Sequence, residues 1–190
     1  MSGMLADKAR GLATCLMHEQ PDRLSHLTGV AARCEALSAA VPPAAVDALV
    51  AAGWLHDIGY LPVLGRTGFH PLDGALYLRE HGWRDDICAL VAHHSGSRFV
   101  ARVRGLDESL GVFEFVEDES SDVLTVADNT ALQDGSFITV SERLREKLAR
   151  HGPNSPGALA NPARDDYIRA ASARVRSRLA GHGRSDPYLA

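Results

Sequence analysis

VDALVAAGWLHDIG, residues 46–59, decides the fold class. From Val46 to Leu55 it is apolar on much of its surface and rich in alanine and leucine, which favour helix. A helix that is apolar nearly all round belongs in the middle of a bundle. Pro43 is well placed to open it, and Gly59 and Pro62 stop it. The run ends on two ligand-type side chains, His56 and Asp57. Adjacent residues on a helix point roughly 100° apart, so the pair can reach one metal only at a helix end that faces a cleft.

Outward from this stretch the pattern stays helical. β-branched residues are sparse and strand-like alternation is weak. A first helix is expected from about Met4 to His18. Pro21 interrupts the chain, and Ser25 or Asp22 caps a second helix running to about Ala40. Pro71 opens another, ended by Gly82, and a further one covers about Asp85 to His94. A short helix follows from Asp107. The acidic EDESSD segment leads into DVLTVADNTAL, which carries Asp128 and ends at Gly135. SERLREKLARHG predicts a helix with Arg143, Arg145, Lys147 and Arg150 on its exposed surface. NSPGALANP reads as a linker, and the last helix spans about Arg164 to Ala180. The final ten residues are expected to fray. The fold class is all-α, a helical bundle in one domain of ordinary size.

Composition narrows the function. The 190 residues are 45% hydrophobic and 23% charged, with a net charge of -4. No basic tract or aromatic-interleaved basic stripe is present, which argues against duplex nucleic acid as a partner. A small phosphate ester or nucleotide remains compatible, because a metal neutralises it locally. Cys15, Cys34 and Cys88 are odd in number and show no CxxC spacing, so they read as core residues of a reduced, cytoplasmic protein. No apolar run approaches membrane-spanning length.

Ligand-type side chains recur in apolar helical surroundings: His26, His56-Asp57, His70, His93-His94 and Asp128. Histidine with carboxylate suits iron, manganese, zinc or cobalt. Bundles build metal sites from facing helices. If two ions are held, Asp57 can bridge them, and His70 and His93 can complete the second site. A dinuclear pair acidifies water into a nucleophile and clamps a phosphoryl group. Glu19 and Asp22 lie before His26, near enough in sequence to reach a metal. His18, His81, His151 and His182 read as hydrogen-bonded structural histidines.

RLSHLTGVA around His26, LHDIG with His56 and Asp57, and LTVADNTA with Asp128 together resemble the HD-domain metal-dependent phosphohydrolases. The resemblance covers about Arg23 to Gly135. It implies an HD-domain bundle with segments 1–22 as an N-terminal helix packed on the core, 23–135 as the metal-binding core and 136–190 as a helical extension of the same domain. HPLDGA from His70 and ICALVAHHSG resemble the family's second-metal elements. The arrangement is similar to that of bacterial HD enzymes that split diadenosine tetraphosphate symmetrically. HHSG stands where the cyclic-dinucleotide branch carries HHE followed by Gly-Tyr-Pro.

The resemblance implies His26, His56, Asp57 and Asp128 on one ion and Asp57, His70 and His93 on another. The ions are divalent, iron or manganese foremost, with zinc, cobalt, nickel or magnesium as substitutes. His94 serves as a further ligand or assists at substrate phosphate and leaving group. Arg98 is expected to bind phosphate, with Arg66 and Arg23 as weaker candidates. The expected activity is hydrolysis of a phosphoester or phosphoanhydride. The alternatives are a mixed-valence di-iron oxygenase, which shares the ligand set, and an inactive scaffold domain. Arginines on the last helix, Arg169, Arg174, Arg176 and Arg178, pack on the bundle or mediate a homodimer.

Overall fold

The computed structural model describes residues 3–151 and 155–189. Among these the chain is all-α, and extended pairing is reduced to an isolated bridge between Ala131 and Phe137. The helices are α1 (Met4–Leu16), α2 (Pro21–Ala36), α3 (Val46–Leu55), α4 (His70–Glu80), α5 (Asp85–His93), α6 (Ser97–Val103), α7 (Asp107–Leu110), α8 (Glu119–Thr130), α9 (Val140–His151) and α10 (Pro156–Gly181).

Two helices form the centre. α3 is buried from Ala48 through Gly53 and again at Leu55. α8 is buried from Ser120 through Thr130. α1, α2 and α5 pack on α3, while α2 and α10 pack on α8. Asp47 at the start of α3 fixes α1 in place. Its carboxylate accepts from the free N–H groups of Leu5 at 3.1 Å and Ala6 at 3.0 Å, satisfying donors that a helix start leaves unpaired. α8 opens with a reciprocal cap, in which Asp118 accepts from Ser121 N–H and the Ser121 hydroxyl accepts from Asp118 N–H.

Several expectations give way. Pro21 opens α2 as its first residue, because a proline lacks only a donor that position leaves unused. α6 was not expected. The linker-like NSPGALANP becomes the first part of α10, which starts at Pro156 under a Ser155 cap and runs through Pro162. Arg143 is buried at 5% exposure, not on the exposed face of α9. The expectation for Lys147 and Arg150 falls on side chains outside the described residues.

The tail from Arg184 to Leu189 is anchored, not frayed. Asp186 accepts from both ends of the Arg33 guanidinium at 2.6 and 2.9 Å. Arg33 also donates to Thr130 Oγ1 at 3.0 Å, and Leu189 is buried. Arg174 and Arg178 pack on the bundle by converging on Asp122 of α8 at 2.6 and 2.8 Å. Arg169 and Arg176 are exposed. No helix among the described residues is long and apolar enough to cross a membrane.

Candidate metal centre

Two helix ends create the site. His56 immediately follows α3, and His94 immediately follows α5. The last carbonyls of a helix lack intrahelical partners. Each ring folds back onto one of them: His56 Nδ1 donates to Gly53 O at 2.9 Å and His94 Nδ1 donates to Val91 O at 2.7 Å. His26, on α2, donates from Nδ1 to Leu132 O at 3.3 Å. A carbonyl oxygen only accepts, so each Nδ1 carries a proton. In the neutral rings each Nε2 is then a bare lone pair.

These lone pairs meet carboxylates. His26 Nε2 stands 3.1 Å from Asp128 Oδ1 and 3.7 Å from Asp57 Oδ2. His56 Nε2 lies 3.6 Å from Asp57 Oδ1 and 3.7 Å from Asp128 Oδ1. His94 Nε2 and His70 Nε2 approach Asp57 Oδ1 at 3.5 and 3.2 Å, and each other at 3.3 Å. His56 Nε2 is buried and has no hydrogen-bond partner among the described residues. Acceptors facing acceptors at low dielectric are mutually repulsive unless a cation lies between them. The donor set fits a divalent transition metal. Two overlapping groups, His26-His56-Asp128 and His56-Asp57-His94, have ligand atoms within 4.8 Å of one another.

Neighbours orient the ligands. The Ser95 hydroxyl donates to Asp128 Oδ2, and Asn129 Nδ2 donates to Ser95 Oγ at 2.9 Å. Ser95 takes a left-handed backbone (φ 51°) followed by Gly96 (φ 68°), which turns the chain sharply between α5 and α6. Gly59 and Gly74 allow the turn after Asp57 to touch α4. A Cβ on Gly59 would lie 2.0 Å from His70 O, and one on Gly74 would lie 3.2 Å from Gly59 N. That close approach brings His70 to Asp57. Tyr60 stacks on the His70 ring at 3.8 Å, and Arg23 covers Tyr60 while donating to Asp57 Oδ2 at 2.6 Å.

Electrostatics favour the ligating forms. Burial alone would raise the Asp57 pKa, but the surrounding histidines, His56 first and then His70 and His94, hold it well below the usual carboxylate value. Burial, against the opposing pull of Asp57, draws His70 down to about 4. At neutral pH the site therefore presents an anionic Asp57 and a neutral His70.

The cluster forms the floor of a cleft of about 540 Å³. Arg23, Arg104, Arg143 and Arg164 line it, together with Tyr60, Gln133 and the start of α10. Arg164 reaches across from α10, donating from Nε to Ser95 O at 2.8 Å.

The family model for the HD domain matches residues 23–132, more than half of the chain. The chain belongs to the HD-domain family. Its all-α bundle is the HD-domain fold, and its histidine and aspartate clusters support metal-dependent hydrolase activity in general terms. Searches of curated proteins and of solved structures found no match.

Of the side chains singled out in the sequence, this HD domain brings together His26, His56, Asp57, His70, His94 and Asp128. His93 is not among them. It is the last residue of α5, and its Nε2 donates to Phe113 O at 2.8 Å. His94 lies one residue past the helix end, where its ring folds back onto Val91 O and enters the cluster, while His93 stays within α5. Arg98 also lies apart, with its guanidinium against the rings of Phe99, Phe115 and Tyr167. Arg66 pairs with Glu80. Glu19 sits beside His18, and Asp22 is exposed. Sequence reading missed Ser95, Asn129, Arg104, Arg143 and Arg164. Ser95 and Asn129 adjoin recognised ligands, and that adjacency was the available signal. The arginines carry no local signal.

Proposed function

We propose that this HD domain hydrolyses a phosphoester or phosphoanhydride bond in a nucleotide or similar small phosphorylated molecule. The reading rests on one observation above others: the unpartnered His56 Nε2 lies in a six-residue histidine and aspartate cluster beneath an arginine-lined cleft.

His26, His56 and Asp128 would hold one ion and Asp57, His70 and His94 a second. When bound, such ions acidify water and polarise phosphoryl oxygens. The chain's own side chains do the rest. Ser95 and Asn129 orient the Asp128 carboxylate. The backbone carbonyls of Gly53, Val91 and Leu132 keep three imidazoles in the ligating tautomer. Arg104, Arg143 and Arg164 bind phosphate oxygens, which guanidinium groups match in geometry and charge. Arg23 neutralises Asp57 and, stacked on Tyr60, borders the place where substrate enters. The open cleft favours an enzyme over an inactive scaffold.

The test is phosphate release from nucleotides, diesters and dinucleoside polyphosphates by stripped protein reloaded with manganese or iron. Metal-dependent turnover is expected. Lack of turnover across that panel would overturn the reading, and oxygen uptake without phosphate release would replace it with di-iron oxygenase chemistry.

A further inference from the structure

The four histidines of the metal centre are not held alike. His26, His56 and His94 each give Nδ1–H to a backbone carbonyl, and their side chains are at most 4% exposed. The His70 side chain is 22% exposed, and among the described residues its polar contacts run through Nε2, to Asp57 and His94. Its place in the fold explains the difference. His56 and His94 follow helix ends, where carbonyls stand free, whereas His70 is the first residue of α4, where the free backbone groups are N–H donors. A ring N–H finds no acceptor among them. The outer torsion of a histidine side chain is broad, so another contact must set the plane of this ring.

Tyr60 supplies that contact. Its ring lies 3.8 Å from the His70 ring and within 17° of parallel. The Arg23 guanidinium stands over Tyr60 at 4.0 Å. The two cannot share one face, so Tyr60 is held between them. Arg23 in turn donates to Asp57 Oδ2 at 2.6 Å, and Asp57 Oδ1 lies 3.2 Å from His70 Nε2. Asp57, Arg23, Tyr60 and His70 thus close a circuit of contacts around two ligands of the second ion. We infer that Tyr60 is the positioning residue of that ion: its ring, backed by Arg23, fixes the His70 imidazole for ligation. The inference rests on the two-ion assignment and is independent of the bond that is broken.

Manganese titrated into the stripped full chain and followed by calorimetry tests it. Two binding steps are expected, and His70→Ala marks one of them by abolishing it. Tyr60→Leu is expected to weaken that step between about 10- and 100-fold, the range for groups that orient metal ligands, and to leave the other within about twofold. Tyr60→Phe keeps the stacked ring and is expected to retain the affinity of the unaltered chain, which a role for the hydroxyl would not allow. Tyr60 is 45% exposed, so the melting curves should stay native, and Tyr60→Gln takes the place of Tyr60→Leu if that variant does not fold. Both steps unchanged in Tyr60→Leu, both weakened alike, or a Tyr60→Phe chain as weak as Tyr60→Leu would each overturn the proposal while the two ions stand. A single step in the unaltered chain would overturn the two-ion assignment, and the proposal with it.

Discussion

Helix α8 buries an aspartate near each end, and the two are treated in opposite ways. Asp122 is 1% exposed and surrounded by donors: Arg174 grips both its oxygens and Arg178 adds a third contact. Asp128 also has a donor in Ser95, but faces the lone pairs of His26 and His56 as well. One network is complete with protein atoms alone. The other contains His56 Nε2, which has no hydrogen-bond partner among the described residues. The paired aspartate holds α10 to α8, whereas the aspartate set beside that bare nitrogen belongs to a place for something the chain does not supply.

Substitutions should separate the two. Asp57→Asn is expected to lower manganese affinity at least about a hundredfold, as judged against the losses seen for outer-sphere partners. It should lower the urea midpoint of the metal-free chain only modestly, because the charge it removes is paired with Arg23 but crowded by other acceptors. Titration calorimetry and urea unfolding together measure both. A large loss of metal-free stability would erase the contrast. Asp122→Asn should do the reverse, costing about 3 kcal/mol in unfolding free energy by breaking a buried pair while manganese affinity stays within about twofold.

Gly59→Ala tests the link between fold and site. The added methyl meets the His70 carbonyl, so overpacking should cost about 2 kcal/mol and displace His70, weakening the metal as well. Equilibrium unfolding and calorimetry on the same sample would show both losses. An effect on stability alone would uncouple the Gly59 turn from the site.

Acid should expose the unfinished network first. An unfolded histidine takes up a proton near 6.5, while folded His70 resists until about 4. The unfolded state then binds more protons across that interval, so the metal-free chain loses stability as pH falls from 6.5 to about 4. Asp57 acts in the same direction lower down. Its folded pKa lies below 3.8, so its contribution, present above 3.8, disappears only as pH falls through the folded value. Urea unfolding followed against pH would show a decline beginning near 6.5, and a flat profile down to 4 would contradict it. The smallest effect concerns thiols. Burial pushes Cys34 upward and raises Cys88 to about 11, so a thiol reagent on the native chain should mark exposed Cys15 alone, as mass spectrometry would report.

The sequence legibly marked what is periodic and what is punctuated. The apolar run ending at Leu55 announced α3, and His70-Pro71 announced the start of α4. It could not choose between His93 and His94, because both lie beside the same helix end and only the fold-back onto Val91 O distinguishes them. Nor could it place Arg143 and Arg164. Both reach the cleft from segments read as an exposed face and as the start of the final helix, and long-range packing decides their direction. The tail looked polar and free, yet the Arg33 that clamps Asp186 lies on α2, far away in sequence.

The fold-back of His56 and His94 has a kinetic consequence. Two ligand nitrogens are aimed, with protons already on the opposite ring atoms, before any ion arrives. Loading then requires no tautomer exchange and no ring flip at either residue. Its speed is expected to follow how readily each ion sheds its own water, with magnesium, which dehydrates reluctantly, slower to enter than manganese.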